Sequence, residues 1–311
     1  MRASWHLRVC TALLLAMFAS AAAATPPAPL LWKVSDSDNS VYLMGSFHLL
    51  QAADYPLSPD VEAAFKDAKT VVFEIPPDEM ASPALAMQMQ QAGLRTDGTR
   101  LDDELDPALR KKLAAWIATS AQAASPSVVS SGMIQQFQPW LAALMISLVE
   151  MTKQGLDPML GLDEHFAAEA KAAGKPTLGL ETGEQQIAFL AAMDRDEQLQ
   201  FLAEALDESD AGNRELATLH AAWRRGDART LETVMAAQMR HAYPRLYRHI
   251  NVERNDNWMP QIERRLTRPG HDNTLVVVGA LHLLGSDGVV EKLRSKGYRV
   301  ERICTICKDM R

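Results

Sequence analysis

Two histidines in matching settings carry the strongest chemical signal in this sequence. Val41-Tyr-Leu-Met-Gly-Ser-Phe-His-Leu-Leu50 and Leu275-Val-Val-Val-Gly-Ala-Leu-His-Leu-Leu284 share one plan: a short strand-type run, then Gly-x-x-His-Leu-Leu. Glycine at a strand end lets the backbone turn sharply or approach another group closely. His48 and His282 then fall just beyond the carboxyl ends of their strands, where open α/β sheets bind ligands. Two more strand-type runs end in acids, Glu74 after Thr-Val-Val-Phe and Glu181 after Thr-Leu-Gly-Leu. One G-x-x-H is weak as a motif, and one glutamate after a strand is commonly a solvated loop residue. Two matched histidines with two matched acids are a much less accidental set. Two imidazoles with one or two carboxylates suit Zn²⁺, Mn²⁺ or Co²⁺. Such an ion acidifies a bound water and polarises a carbonyl. Without a metal, a His–Glu pair can still do general acid–base work on water.

These residues need a sheet to bring them together, and the sequence predicts one. Leu30–Val34 and Ser40–Met44 flank the turn-forming Asp36-Ser37-Asp38-Asn39 and predict a hairpin. Ser58-Pro59-Asp60 opens a helix with an N-cap, a first-turn proline and a first-turn acid. Thr70–Phe73 is a strand of β-branched and aromatic residues. From Met80 to Ala173, and again from Gly183 to Leu266, the pattern is helical and rich in Ala, Leu, Met and Gln. Pro176–Leu180 is a short strand. Thr274–Val278 is an uninterrupted buried-type strand, followed by a helix over Asp287–Lys296 and a last strand, Tyr298–Ile303. The expected class is α/β, of mixed α+β character. A central mixed sheet comes from the N- and C-terminal segments, with a large helical middle layer, in one domain over residues 25–311.

Residues 1–24 read as a signal peptide: Arg2, His6 and Arg8, then the apolar run Val9–Ala19, then Ala22-Ala23-Ala24 for cleavage. The expected location is therefore the periplasm or the exterior. No later run is long and apolar enough to span a bilayer, so no transmembrane span is expected after cleavage. The formal net charge is −7 and no Lys/Arg block stands out, which argues against a nucleic-acid partner. Cys304 and Cys307 form a C-x-x-C with four residues after it, too few for the helix a redox-active pair normally opens. A small terminal disulfide is favoured over two idle thiols. H-E-x-x-H, G-x-S-x-G, phosphate-loop and G-x-G-x-x-G motifs are absent. His165, His220, His241, His249 and His271 lack a paired setting and are assigned surface or structural roles.

The chain resembles the TraB/GumN family, which includes the Tiki proteases. The resemblance is carried by Tyr42-Leu-Met-Gly-Ser-Phe-His48, Val71-Val-Phe-Glu74 and Gly179-Leu-Glu-Thr182 with Glu184 and Gln185. It continues through Arg254-Asn255 with Trp258, and Val278-Gly-Ala-Leu-His-Leu-Leu-Gly285 to Gly297-Tyr298. Ser46 stands where Thr is usual, and the hydroxyl is kept. The resemblance implies an α/β core holding the paired motifs and a metal-dependent hydrolase or peptidase activity. It carries the motif histidines over to His48 and His282, the strand-end acid to Glu74, and the Arg-Asn pair to Arg254 and Asn255. By spacing alone, Arg254 belongs to a solvated basic face with Arg245, Arg248, Arg264 and Arg265. The resemblance makes it an oxyanion or carboxylate clamp, which suits a planar guanidinium.

The expected metal ligands are thus His48, His282 and Glu74, and the expected catalytic residues are Glu74, Glu181, Arg254 and Asn255. The expected substrate is a peptide or a small molecule. The alternative is a non-catalytic protein of the same superfamily that binds haem or a metal. A catalytic site predicts a carboxylate close to both histidines; a haem site predicts a wide apolar pocket without one.

Overall fold

Alternating strand and helix signals produce a six-stranded mixed sheet with helices around it. The structure, a computed structural model, describes residues 25–123, 131–211 and 213–307; the expected signal peptide lies outside them. The strands are β1 (Leu31–Ser35), β2 (Ser40–Ser46), β3 (Thr70–Phe73), β4 (Thr177–Gly179), β5 (Thr274–Gly279) and β6 (Arg299–Arg302). Their order is β4-β3-β5-β2-β1-β6. β4, β3, β5 and β2 pair in parallel, whereas β1 runs antiparallel to both β2 and β6.

The β1–β2 hairpin turns as its sequence dictates. One Asp36 carboxylate oxygen accepts the N–H groups of Asp38 and Asn39, each at 3.0 Å. β2 and β5 are buried at every residue, which fits their continuous apolar composition and central position.

The helices that bear on the site are α1 (Pro59–Asp67), α2 (Pro83–Gly93), α3 (Pro107–Ala123), α4 (Pro139–Lys153) and α5 (Leu162–Ala172). They continue with α6 (Gly183–Ala191), α7 (Arg195–Ala211), α8 (Asn213–Arg224), α9 (Arg254–Leu266) and α10 (Val289–Ser295). α1 starts where expected, with Pro59 first and Asp60 and Glu62 in the first turn, but the Ser58 hydroxyl makes no capping bond. α10 is shorter than Asp287–Lys296 because Gly285-Ser-Asp-Gly288 forms a separate turn before it.

Apolar side chains form two clusters. One joins the sheet to α1, α5, α9 and α10 through Phe65, Phe166, Trp258 and Leu293. The other joins α3, α4 and α7 through Trp116, Trp140, Ile146 and Leu202. Cys304 and Cys307 are disulfide-bonded. Among the described residues, no helix is long and apolar enough to cross a membrane.

Candidate active site

Because β2, β3, β4 and β5 are parallel, their carboxyl ends share one edge of the sheet, and His48, Glu74, Glu181 and His282 follow those ends. The two G-x-x-H segments lie on neighbouring strands but are not symmetric. Val41 pairs with Thr274 and Ser46 with Gly279, so the second motif is offset by one residue from the first. The backbone after each strand also differs. Ala280–Leu283 winds into a 3₁₀ turn that buries His282. The chain after Ser46 runs on through a bend, and the His48 side chain stays 60% exposed, facing a cavity.

His282 is held in one tautomer. Asn255 donates its side-chain N–H to the Asp287 carbonyl at 3.0 Å, which fixes the amide orientation. Its Oδ1 then accepts from His282 Nδ1 at 2.8 Å, so the ring proton is on Nδ1. His282 Nε2 is left as an acceptor and takes a bond from Arg254 Nη1 at 3.1 Å. Burial pushes the His282 pKa down to about 3, so the ring is neutral at working pH.

His48 has the opposite charge state. Its Nδ1 lies 2.8 Å from Asp163 Oδ2, and Asp163 Oδ1 accepts from Ser46 Oγ at 3.1 Å. The Asp163 carboxylate pushes the His48 pKa up to about 9. Asp163 sits in the first turn of α5, and Gly161 lets that helix come close: a Cβ there would lie 2.1 Å from the His48 carbonyl oxygen.

Glu74 and Glu181 both face Arg254, with different consequences. Glu74 Oε1 accepts the Gly279 N–H at 2.7 Å, and Oε2 accepts Arg254 Nη2 at 2.6 Å. Burial works against the Glu74 charge, but Arg254, the protonated His48 and the Gly279 N–H outweigh it and hold the carboxyl well below the usual carboxylate range. Glu181 accepts from Arg254 Nε at 3.1 Å, from Trp258 Nε1 at 3.1 Å and from Gln186 Nε2 at 3.0 Å. The Arg254 guanidinium also stacks 4.7 Å from the Trp258 ring centre. Arg254 is therefore no solvated surface residue; it is the buried cation between two carboxylates.

His48, Glu74, Arg254 and His282 line one cavity of about 750 Å³, together with Asp163. Glu181 and Asn255 stand behind that wall, Glu181 gripping Arg254 and Asn255 gripping His282. Asp163 is the site residue that sequence reasoning missed. Its only sequence signal was an acid in the first turn of a helix opened by Gly161-Leu162.

The donor types gathered here, two imidazoles and a carboxylate, are of the kind that divalent ions take. Each histidine has its Nδ1 tied to an oxygen, the arrangement that orients ligating imidazoles, although His282 Nε2 is taken by Arg254 Nη1. Glu74 Oε1 lies 3.9 Å from His282 Nε2. An ideal Cβ on Gly279 would lie 3.2 Å from Glu74 Oε1 and 3.6 Å from His48 Nε2, so these groups surround that glycine. Among the described residues, no three such side chains already stand at full ligand spacing. Arg254 occupies the faces of Glu74 and His282 that an ion would use.

Residues 30–302 match the model of the TraB/PrgY/gumN family. YbaP from Escherichia coli and YbaP from Shigella flexneri are each 29% identical over 171 residues, covering 55% of this chain and 60% of theirs. Metalloprotease TIKI1 of Danio rerio is 23% identical over an alignment covering 87% of this chain and 62% of that protein. The chain thus spans about three-fifths of the length of these relatives. No solved structure matches it. The match over nearly all the described residues shows that the chain belongs to the TraB/PrgY/gumN family.

Proposed function

We propose that this protein is an exported hydrolase that cleaves a peptide- or ester-like bond at the His48–Glu74–His282–Arg254 centre. The observation that carries this reading is the placement of an ionised carboxylate, Glu74, among a cationic guanidinium and two oriented imidazoles at the wall of one cavity. The similarity to a protein named metalloprotease TIKI1 supports the class of reaction. A divalent Mn, Co or Zn ion held by His48, His282 and one oxygen of Glu74 would acidify a bound water and polarise the scissile carbonyl.

The chain's own groups have distinct tasks in this scheme. As Arg254 turns to the substrate carbonyl and frees Oε2, Glu74 takes the proton of the attacking water and delivers it to the leaving nitrogen or oxygen as the carbonyl–heteroatom bond breaks. Arg254 offers N–H groups to the carbonyl oxygen as it gains negative charge. Asp163 and Asn255 hold the two imidazoles by their Nδ1 atoms. Glu181 holds Arg254 in place and is itself fixed by Trp258 and Gln186, so Glu181 acts through Arg254.

The haem-binding alternative finds one of its two expected features, a wide and largely apolar cavity, but not the other, because the Glu74 carboxylate lies 3.9 Å from His282 Nε2. The test is a screen of a peptide library and an ester series with purified mature protein, with and without Mn²⁺, alongside Glu74→Gln. Mn²⁺-dependent cleavage that Glu74→Gln abolishes supports the reading. Haem binding without cleavage of any substrate overturns it.

A further inference from the structure

The cavity is far larger than the polar centre needs, and its remaining wall is mostly carbon. From the strand ends it extends under α4, α7 and α8, past Leu144, Phe201, Leu216 and Leu219. Five methionines line it: Met80, Met89, Met151, Met235 and Met239. Methionine is unbranched and flexible, so such a wall reshapes itself around an irregular apolar guest. Val234, Met235 and Ile250 reach the cavity from two π-helical turns, Glu232–Ala237 and Arg248–Glu253. Wide turns of this kind recur at functional sites.

We infer that this chamber binds a single long alkyl or acyl chain, so that the substrate is an acylated amphiphile whose hydrolysable carbonyl lies at the His48–His282 end. The inference rests on the hydrolase reading for the reacting end only. A cavity of about 750 Å³ is within the range that encloses a ligand of that size. A peptide buried here would need partners for every backbone N–H and C=O. The helical wall offers few donors, Ser147, Gln154, Gln186 and Ser209, beside Glu150, Glu204 and Glu215, which have no proton to give a peptide carbonyl when ionised. Glu150 is already engaged by Trp116 and Lys153. An alkyl chain asks for no hydrogen bonds. The same carboxylates repel an anionic headgroup, which sets the direction of the chain: carbonyl toward Arg254, tail toward α4 and α8.

Calorimetric titration with 1-hexanol, 1-octanol and 1-decanol tests this without any turnover. Affinity should rise about threefold to fourfold per methylene, the gain from moving each one out of water. Leu219→Trp and Met235→Trp, two independent substitutions that fill the chamber, should each weaken decanol at least about tenfold while circular dichroism stays native. Affinity independent of chain length, or decanol binding unchanged in whichever Trp variant is folded, overturns the inference. The hydrolase reading fails separately: alcohols that bind with the expected slope, with no ester or peptide cleaved, leave the chamber standing and remove the chemistry.

Discussion

One guanidinium bridges the two groups that a metal or a water would need: Arg254 Nη1 is 3.1 Å from His282 Nε2 and Nη2 is 2.6 Å from Glu74 Oε2. Arg254 is thus a competitor for a divalent ion as well as a donor to substrate. Arg254→Met should bind Mn²⁺ at least about tenfold more tightly by calorimetry, because a positive charge a few ångströms away is gone. Turnover should fall. The metal-free variant should lose about 3–5 kcal/mol of stability, since two buried carboxylates lose their partner, and Mn²⁺ should restore part of it. Unchanged Mn²⁺ affinity would show that Arg254 does not contest the ion.

His48 sets the pH dependence. Asp163 raises its pKa to about 9, above the ordinary 6.5, so the folded state favours the protonated ring. The stability this contributes is fully present below pH 6.5 and is lost as pH rises through about 9. Metal binding needs the neutral ring, so Mn²⁺ binding near pH 7 should release a proton from His48, and affinity should rise toward pH 9. Asp163→Asn should move the His48 titration, followed by NMR, down toward 6.5 and flatten the pH dependence of Mn²⁺ binding over pH 7–9. A His48 titration unmoved by the substitution would refute the pairing.

Gly279 should be intolerant for reasons of space. Its φ of −50° suits any L residue, but a Cβ would lie 3.2 Å from Glu74 Oε1 and 3.6 Å from the His48 and His282 rings. Gly279→Ala should therefore cut kcat/KM more than about tenfold while thermal unfolding shifts by only a few degrees. Equal losses of stability and activity would make it a packing glycine.

Asn255 orients His282. Asn255→Ala leaves a buried Nδ1–H without an acceptor and should cost about 1–3 kcal/mol. It should lower kcat more than it raises KM, and Asn255→Asp, which restores an acceptor, should recover part of kcat and raise the His282 pKa from about 3. A recovery of stability without any shift of that pKa would place Asn255 in a purely structural role.

The sheet was legible because its strands are continuous apolar runs ended by Gly or by turn chemistry, and the Gly-x-x-His echo marks two adjacent parallel strands. The inequality of the two histidines was not legible. It comes from the backbone after each strand, a 3₁₀ turn at Ala280–Leu283 against a bend at His48-Leu49 braced by Gly161. Asp163 is 115 residues from His48 in sequence, and no local pattern joins them. Glu74 and Glu181 look alike as strand-end acids, yet only Glu74 reaches the cavity. β4 is an edge strand, and Arg254, Trp258 and Gln186 take up the Glu181 carboxylate. Arg254 itself was hidden among neighbouring arginines, since burial of one charge in a charged helix has no sequence signature. The chamber was invisible for a simpler reason: its wall is assembled from helices far apart in the chain.

The most direct test of the central claim is the kcat/KM of His48→Ala on whichever peptide or ester substrate the wild-type protein cleaves, measured at saturating Mn²⁺ with the unfolding temperature recorded beside it. His48 has 60% of its side chain exposed to the cavity and carries no part of the apolar core, so the substitution leaves the fold intact. The account predicts a loss of at least about a hundredfold in kcat/KM in a protein that stays folded, its unfolding temperature lowered only by what the His48–Asp163 pair contributes. A folded His48→Ala that retains wild-type activity would contradict it, because the paired histidines would then only shape two strand ends.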